Sequence, residues 1–275
     1  MSVPIEELLP RPSVMAVLNV TPDSFSDGGR YLEPAAALAR AAETIEEGAA
    51  IVDVGGESTR PGSAGVSLEE ELRRLEPVLD GLAAAGLPFS IDTSKAAVAR
   101  RALEAGALLV NDVTALRADP ELAGIVADSG ACLCLMHMLG EPRTMQDDPR
   151  YGDVVADVAE FLEERLAAAV AAGVREERIC LDPGIGFGKT VAHNLALISR
   201  LDEIVALGRP VLVGASRKRF VGRILGDADA LTGPPTASVA LAVLAFERGA
   251  SIFRVHDVRE HLDALSAARA VEAVT

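Results

Sequence analysis

Hydrophobic and polar positions follow a regular long-range pattern along this chain. Eight short apolar segments each lead into a polar or glycine-rich loop and then into a stretch with helical periodicity. The apolar segments cover residues 14–20, 50–56, 88–93, 108–113, 131–137, 178–184, 210–216 and 251–257. Near-continuous apolar strands that alternate with helices are typical of a parallel sheet covered on both faces. Eight such units predict an α/β fold, a single eight-fold β/α (TIM) barrel.

Most of the apolar segments carry their polar residues at the C-terminal end. These residues are Asn19, Asp53, Asp92, Asn111, Asp112, His137, Asp182, Ser216, Arg254 and His256. Enzymes with this fold build their active sites at the C-terminal ends of the strands. The pattern therefore predicts an active site at that end of the barrel.

The helical stretches show their own signals. Ser67 and Glu70 have the S-x-x-E spacing of a capping box, and Pro77 is expected to bend or break the helix that follows. Residues 153–172 place apolar side chains along one stripe, which predicts a helix of the barrel wall. The stripe consists of Val154, Val158, Phe161, Leu162, Leu166 and Val170.

Composition indicates one domain over residues 1–275, with no linker. Folding of a chain of this length buries roughly 70–75% of the surface that the unfolded chain exposes. The three cysteines, Cys132, Cys134 and Cys180, lie within apolar segments, so we expect buried free thiols in a reducing compartment. The chain begins without an apolar leader and has no uninterrupted apolar run of about 18 residues. We therefore expect a cytoplasmic protein with no membrane partner.

The net charge of −15 argues against nucleic-acid binding, which requires a basic face. Local basic clusters at strand ends are more informative. One cluster is SRKR at 216–219, and Arg254 with His256 forms another. Arg254 and His256 alternate along one strand, so both side chains project to one face, where Arg254 can bind phosphate through two nitrogens. Helix N-termini after late barrel strands commonly bind anions, which favours an anion site here.

Three other motifs are weaker than they look. In GIGFGKT at 184–190, Gly184 and Gly188 enclose three residues, whereas a P-loop requires four. Cys132, Cys134 and His137 could suggest zinc, but C-x-C within an apolar strand is usually core. No G-x-S-x-G elbow supports a Ser/His/Asp triad. These patterns do not favour a nucleotide hydrolase, a zinc enzyme or a serine hydrolase.

A series of loop motifs, in chain order, carries a far more specific signal. The motifs are NVTPDSFSDGG at 19–29, GESTRPG at 56–62, SIDTSK at 90–95, VND at 110–112, LMHM at 135–138, DPGIGFGKT at 182–190, VGASRK at 213–218 and RVHDV at 254–258. On these motifs the chain resembles the dihydropteroate synthase family of pterin-binding barrels over about residues 14–265. The resemblance implies an enzyme of folate biosynthesis. It would condense 6-hydroxymethyl-7,8-dihydropterin pyrophosphate with p-aminobenzoate, giving 7,8-dihydropteroate and pyrophosphate.

A pterin is a flat heterocycle with a dense edge of hydrogen-bond donors and acceptors. Carboxylates and amides fixed at the ends of different strands suit such an edge, because hydrogen bonds to the ring compensate their burial. The resemblance implies that Asp92, Asn111 and Asp182 bind the ring. It also implies that Lys218 reaches the ring and that Met136 and Phe187 line the pocket. Gly214 and Ser216 are further substrate-binding residues that it implies.

The diphosphate has the opposite charge requirement. The resemblance implies that Asn19, Arg254 and His256 contact it, and that Asn19 also coordinates Mg²⁺, the one expected cofactor. Mg²⁺ takes oxygen ligands and often binds through the phosphates of a substrate. A protein cage of several carboxylates is therefore not required.

Two loops resemble the mobile loops that close the aminobenzoate pocket in this family. They are residues 21–33, with Phe25 and Asp27, and residues 57–63, with Thr59, Arg60 and Pro61. We hypothesise a largely dissociative reaction, in which pyrophosphate leaves the pterin methylene before the arylamine attacks. Asp27 would lie near the developing cation and Lys218 near the departing charge. The expected catalytic residues are Asp27, Lys218, Arg254 and His256.

The chain departs from the family pattern at two positions. Arg219 stands where many members carry a small hydroxyl residue, which leaves the contact to the aminobenzoate carboxylate open, and Val113 replaces a frequent Ile. Family members are commonly homodimers and sulfonamides mimic p-aminobenzoate, but no dimer interface can be read from periodicity.

Two alternative functions remain open. A methyltetrahydrofolate-dependent methyltransferase barrel shares the pterin-binding carboxylates and amide but has no use for Arg254 or His256. A pterin-binding paralogue without condensing activity would be expected to lose Asp27, Arg60 or Lys218, and all three residues are present.

Overall fold

The computed structural model describes residues 3–21, 34–59, 62–63 and 65–274. Within these residues, each of the eight predicted apolar segments coincides with one β-strand, and only β1 begins one residue before its segment. The strands are β1 (Ser13–Asn19), β2 (Ile51–Gly55), β3 (Phe89–Asp92), β4 (Leu109–Asp112), β5 (Cys132–Met136), β6 (Ile179–Asp182), β7 (Leu212–Val213) and β8 (Ile252–Val255).

Helices precede the first strand and follow every strand. They are α1 (Ile5–Leu8), α2 (Pro34–Glu46), α3 (Leu68–Ala85), α4 (Ala96–Glu104), α5 (Leu122–Ser129), α6 (Val154–Ala171), α7 (Val191–Ser199), α8 (Leu201–Val205), α9 (Arg219–Arg223), α10 (Pro235–Glu247) and α11 (Val258–Glu272), with a short 3₁₀ turn at Glu176–Arg178. In the described part of the chain, no helix has both the length and the apolar character needed to cross a bilayer.

The eight strands form one parallel sheet that returns to its own beginning. The strand order is β6-β5-β4-β3-β2-β1-β8-β7. A parallel bridge between Leu181 and Val211 joins β6 to the segment that enters β7, and the Leu181 amide donates to the Pro210 carbonyl at 2.9 Å. The eight-fold β/α barrel predicted from the sequence is therefore confirmed.

The barrel core is built from two sets of strand residues, because alternate side chains point to opposite faces of a sheet. One set packs outward against the helices and includes Val52, Ile91 and Leu133. The other set fills the N-terminal end of the barrel. It consists of Met15, Ile51, Leu109, Cys132, Cys134, Cys180, Leu212 and Ile252, and it packs against Ile5 and Leu9 from the segment before β1. The three cysteines are buried and free, as predicted.

Helix α3 differs in part from its prediction. The Ser67 hydroxyl accepts from the Glu70 amide at 3.2 Å, which is one half of the expected capping box. The Glu70 carboxylate instead accepts from Arg73 and Arg74, so the box is not completed on that side. The helix also continues through Pro77 to Ala85, so of the two expected effects the break does not occur, and the bend stays a prediction.

The predicted wall helix over 153–172 is confirmed as α6, capped by the Asp153 carboxylate. One position of its stripe was wrong: Val170 is 40% exposed, and Ala169 is buried in its place. Each four-residue step turns a helix by about 400°, so the steps from Leu162 to Leu166 and on to Val170 rotate the side chain away from the core. Ala169, seven residues after Leu162, returns to the buried side.

Candidate active site

A row of polar side chains crosses the C-terminal end of the barrel. The strand register sets Asn19 beside Gly55, Gly55 beside Asp92, and Asp92 beside Asn111. Gly55 has no side chain of its own, and a Cβ atom there would lie 3.7 Å from both Asn19 Oδ1 and Asp92 Oδ2. The oxygens of Asn19 and Asp92 therefore border the same space above Gly55.

Arg254, on β8, links the carboxylates of two other strands. Its Nε donates to Asp53 at 2.5 Å and its Nη2 donates to Asp92 at 2.7 Å. Asp53 is fully buried and also accepts from the Ser90 hydroxyl at 2.6 Å and from Asn111 Nδ2 at 3.0 Å. One carboxylate thus holds the guanidinium of Arg254 and the amide of Asn111 in fixed orientations.

Burial shifts the acid–base behaviour of this cluster. It raises the pKa of Asp92 to about 7, although the charge of Arg254 opposes the shift. It also raises the pKa of Asp182 above its usual value, against the charge of Lys218. Burial disfavours the charged form of Arg254, but the carboxylates of Asp53 and Asp92 outweigh this and raise its pKa. Perturbed carboxyl groups of this kind are typical of functional sites.

The Asn111 side chain has one atom that the surrounding side chains do not satisfy. Its Nδ2 donates to the Asp53 carboxylate, which fixes the orientation of the amide. Its Oδ1 is buried, and no donor within the described residues reaches it. A buried acceptor without a protein donor is a position at which a ligand N–H group can bind.

The loop after β6 approaches the loop after β5 very closely. The Asp182 carboxylate accepts from the Gly184 amide at 2.7 Å. Gly184 has φ of +66°, and a Cβ atom there would lie 1.8 Å from the His137 carbonyl oxygen. Only glycine fits this position beside the His137 carbonyl. The hydrogen bond from the Gly184 amide fixes the orientation of the Asp182 carboxylate.

Lys218 reaches this loop from the other side of the barrel mouth. Its Nζ donates to the Ile185 carbonyl and lies 4.4 Å from the centroid of the Phe187 ring. Burial lowers the pKa of Lys218 to about 8, although the charge of Asp182 opposes the shift. A Cβ atom on Gly214 would lie 3.9 Å from Lys218 Nζ and 3.8 Å from Arg254 Cβ. The missing side chain at Gly214 therefore leaves space beside the two cations.

An apolar wall lies next to these polar groups. Val113, Met136, Met138 and Met145 form a buried cluster against which Phe187 packs. The structure thus brings together Met136 and Phe187, the two residues that the family resemblance implies as lining the pterin pocket. A wall of this kind suits the faces of a flat ring.

Ser216 and His256 pair at the ends of β7 and β8. The Ser216 hydroxyl lies 3.1 Å from His256 Nδ1, and the backbone amide of His256 donates to the same hydroxyl at 3.2 Å. The predicted basic helix after β7 is α9, which has only five residues and follows Lys218 directly.

A cavity of about 120 Å³ adjoins this site on the side of β2, β3 and β4. Its walls place Thr59 in the same cavity as Asp92. The lining residues are Glu57, Thr59, Asp92, Thr93, Ser94, Val113, Thr114, Met138 and Pro142.

Most of the predicted site residues lie at this end of the barrel. They are Asn19, Thr59, Asp92, Asn111, Met136, Asp182, Phe187, Gly214, Ser216, Lys218, Arg254 and His256. The other four predicted residues, Phe25, Asp27, Arg60 and Pro61, lie outside the described residues.

Two residues of the site have roles that the sequence did not reveal. In the sequence, Asp53 stands out only as a polar residue within an apolar strand. Its position two residues before Gly55, on the inner face of the barrel, could have indicated a buried carboxylate of the site. Lys189 is buried; its Nζ lies 2.9 Å from His137 Nδ1 and donates to the Phe187 carbonyl at 3.0 Å. Burial lowers the pKa of Lys189 well below its usual value. Lys189 belongs to the DPGIGFGKT motif, but nothing in that motif indicates that its side chain is buried.

Comparison with known proteins identifies close relatives. Residues 15–256 match the family model described as pterin binding enzyme. The dihydropteroate synthase of Mycobacterium leprae is 51% identical over 257 residues, which is 92% of this chain and 90% of the relative. The solved dihydropteroate synthase of Xanthomonas albilineans with 4-aminobenzoic acid superposes with a TM-score of 0.88 at 48% identity, covering 97% and 95% of the two chains. That of Burkholderia cenocepacia with 7,8-dihydropteroate has a TM-score of 0.83 at 47% identity, covering 96% and 93%.

Proposed function

This chain belongs to the pterin-binding enzymes and, within them, to the dihydropteroate synthases, and we propose that it makes 7,8-dihydropteroate for folate biosynthesis. It is a transferase that joins 6-hydroxymethyl-7,8-dihydropterin pyrophosphate to p-aminobenzoate and releases pyrophosphate. The proposal rests on family membership together with the geometry of the site.

The observation that supports pterin binding best is the unpaired Oδ1 of Asn111. This acceptor lies between strands that carry Asp92 and Asp182, so three strand-end groups offer oxygens to one region. A pterin edge carries N–H donors that match such oxygens. Binding the ring would supply the donor that Asn111 lacks and would compensate the buried carboxylates.

Cationic groups beside this acceptor set would bind the diphosphate. Arg254 uses Nε and Nη2 for its carboxylate partners, and we infer that Nη1 binds a phosphate oxygen. Lys218 lies across the space beside Gly214, and we infer that it stabilises the negative charge of the leaving pyrophosphate. The paired Ser216 and His256 complete the proposed diphosphate contacts.

Magnesium is part of this proposal through Asn19. The Asn19 carboxamide oxygen borders the open space above Gly55, and oxygen ligands suit Mg²⁺. Among the described residues, no group of three His, Cys, Asp or Glu side chains is arranged to hold a metal ion. The remaining ligands would therefore come from the substrate and from water. When bound, the ion would neutralise diphosphate charge.

We assign p-aminobenzoate to the cavity beside Asp92. This cavity contains Thr59, a residue of the loop that resembles the family's aminobenzoate loop. Because this cavity adjoins Asp92, an arylamine bound there would lie near the proposed pterin site. Sulfonamides resemble p-aminobenzoate and are expected to compete for the same cavity.

The proposed reaction is largely dissociative. Asp92, Asn111 and Asp182 hold the ring, while Lys218 and Arg254 stabilise the charge that develops on the departing pyrophosphate. After the C–O bond to the diphosphate has broken, the arylamine nitrogen forms the C–N bond to the pterin methylene and releases its proton to water. Asp27, outside the described residues, is our candidate for stabilising the developing cation.

We further infer a cytoplasmic homodimer. Support comes from the family, whose members are commonly homodimers, and from the free thiols of all three cysteines. Light scattering of the purified protein tests the dimer, and fractionation of the host cell tests the location.

The experiment that tests the function is pyrophosphate release with magnesium, the dihydropterin pyrophosphate and p-aminobenzoate. We expect release that depends on the arylamine and collapses in Lys218→Ala. Tight pterin binding without release would favour the paralogue that lacks condensing activity. Methyl transfer from methyltetrahydrofolate, without pyrophosphate release, would favour the methyltransferase.

A further inference from the structure

A second charged cluster lies beside the proposed aminobenzoate cavity, and the proposed reaction does not use it. Lys95 Nζ donates to Glu57 Oε2 and to Glu71 Oε2, both at 2.5 Å. The Thr93 hydroxyl donates to the other oxygen of Glu71 at 2.9 Å. Glu57 and Thr93 line the cavity that contains Thr59, so the cluster lies in part in the cavity wall.

Glu71 makes this cluster a rigid attachment point. Its side chain belongs to α3 and is fully buried. A buried carboxylate requires a cation or several donors, and Lys95 and Thr93 supply both. Burial opposes the charge of Lys95, but hydrogen bonds to Glu57 and Glu71 raise its pKa above the usual value. The ammonium group therefore connects the barrel wall to Glu57 as a permanent charge.

Glu57 connects Lys95 to the loop that follows β2. We call the described residues between β2 and α3, namely 57–59, 62–63 and 65–66, the second loop. While one Glu57 oxygen accepts from Lys95, the other accepts from the Val66 amide at 3.2 Å, so Glu57 joins the two ends of the second loop. Within the loop, the Gly62 amide donates to the Pro142 carbonyl at 3.0 Å, which ties the loop to another wall of the cavity.

We propose that Lys95 and Glu57 are positioning residues that hold the second loop, and with it Thr59, where p-aminobenzoate binds. This inference rests on the proposed function, because it assumes that the cavity takes the arylamine. Among the described residues, the side chains of Lys95 and Glu57 form hydrogen bonds with each other, Glu71 and Val66, and not with Asp92, Asn111 or Asp182. Their loss should therefore weaken p-aminobenzoate binding selectively and leave the binding of the dihydropterin pyrophosphate intact.

The first test variant is Glu57→Gln. Glutamine offers one acceptor oxygen where Glu57 uses two, so either the Lys95 contact or the Val66 contact is lost, while Lys95 still pairs with the buried Glu71. We expect the KM for p-aminobenzoate to rise about tenfold, the scale of a lost charged hydrogen bond. The KM for the dihydropterin pyrophosphate and kcat should stay within about twofold of the unsubstituted enzyme. Glu69→Gln, an exposed carboxylate on α3, is the matched control and should change neither KM.

Lys95→Met separates positioning from folding. This variant leaves the buried charge of Glu71 without its cation, so it is expected to be unstable. The double variant Lys95→Met with Glu71→Gln removes both charges together and should recover stability. In the double variant the second loop still lacks its attachment through Lys95, so its KM for p-aminobenzoate should stay raised. Recovery of both stability and KM would mean that the cluster serves folding alone.

Amide hydrogen exchange measures the attachment without any substrate. In Glu57→Gln, peptides that span residues 57–66 should exchange several-fold faster, whereas peptides from β6 should not change. Unchanged exchange together with an unchanged KM for p-aminobenzoate in active Glu57→Gln protein would overturn the inference, and so would an equal rise in both KM values. Failure of the proposed function is a separate result, namely no arylamine-dependent pyrophosphate release by the unsubstituted protein.

Discussion

At the scale of single residues, the barrel mouth depends on one carboxylate that the sequence does not single out. Asp53 is fully buried and accepts from Ser90, Asn111 and Arg254. Taking a carboxylate and a guanidinium out of water costs several kcal/mol per ion, which their mutual attraction repays only when the geometry is good. The energetic reason for this arrangement is therefore local order at the site rather than overall stability.

Replacing Asp53 tests that role. In Asp53→Asn, Arg254 keeps only Asp92 as a carboxylate partner, and we expect the free energy of unfolding to fall by about 3 kcal/mol. The kcat/KM for the dihydropterin pyrophosphate should fall at the same time, because Asn111 and Arg254 lose their common support. Urea unfolding and steady-state kinetics measure the two effects. Ser90→Ala, which removes one neutral hydrogen bond to Asp53, is the control and should cost about 1 kcal/mol. Equal costs for the two variants would contradict the role of Asp53.

Lys218 gives the site a pH dependence. Burial lowers its pKa to about 8, so raising the pH through 8 removes a positive charge from the free enzyme. The kcat/KM for the dihydropterin pyrophosphate should therefore fall above about pH 8, since this parameter reports groups of the free enzyme. In Lys218→Arg the guanidinium stays charged over this range, and the fall should move to higher pH. Pyrophosphate affinity, measured by calorimetry, should follow the same trend. An identical pH profile in both proteins would show that another group titrates.

At the scale of elements, the loop after β6 depends on a backbone contact that admits no side chain. In Gly184→Ala, the new methyl group would lie 1.8 Å from the His137 carbonyl oxygen, at a positive φ. We expect the free energy of unfolding to fall by at least about 3 kcal/mol, from overpacking and backbone strain together. Gly208→Ala is the matched control, because Gly208 has φ of +80° but open space around it. It should cost about 1–2 kcal/mol, which is strain alone. Similar urea midpoints for the two variants would mean that the loop can move away from His137.

The elements were predictable because each strand is a short apolar run that ends in polar residues. Seven strands fall within the predicted segments, including β7, which has only two residues, and β1 begins one residue before its segment. The exposed Val170 was not predicted, because repeated four-residue steps rotate the side chain away from the buried face. The presence of Pro77 alone did not determine whether α3 would bend or break there. Tertiary contacts decide such details.

The position of the site could be predicted from the sequence, but the ion pairs within and beside it could not. Asp92, Asn111 and Asp182 follow from the strand-end pattern and from the family motifs. The sequence did not reveal that Arg254 binds Asp53 and Asp92, or that Lys95 joins Glu57 to Glu71, because these contacts connect separate strands, loops and helices. Long-range pairs of charges carry no local signal in one sequence.

At the scale of the whole molecule, the barrel separates stability from chemistry along its axis. The N-terminal end is an apolar layer closed by Ile5 and Leu9, and the C-terminal end carries Asp92, Asn111 and Arg254. The same strands contribute to both ends. Along strands such as β4 and β8, the inward-facing residue near the start, Leu109 or Ile252, is apolar, and the next inward-facing residue, Asn111 or Arg254, is polar. A substitution in the apolar layer at the N-terminal end should therefore lower activity only by unfolding the molecule.

Ile5→Ala tests this separation. Ile5 is fully buried, and removing a buried aliphatic side chain costs about 2–5 kcal/mol, depending on how far the cavity collapses. We expect the urea midpoint to fall accordingly, while kcat per folded molecule stays unchanged at temperatures where the variant is fully folded. Glu7→Ala, an exposed position in the same short helix α1, is the control and should change neither quantity. Asp53→Asn should differ from both, because it lowers stability and kcat/KM together. A loss of kcat in folded Ile5→Ala protein would show that packing at the closed end determines the geometry of the active end, and the two functions of the barrel would then not be separable.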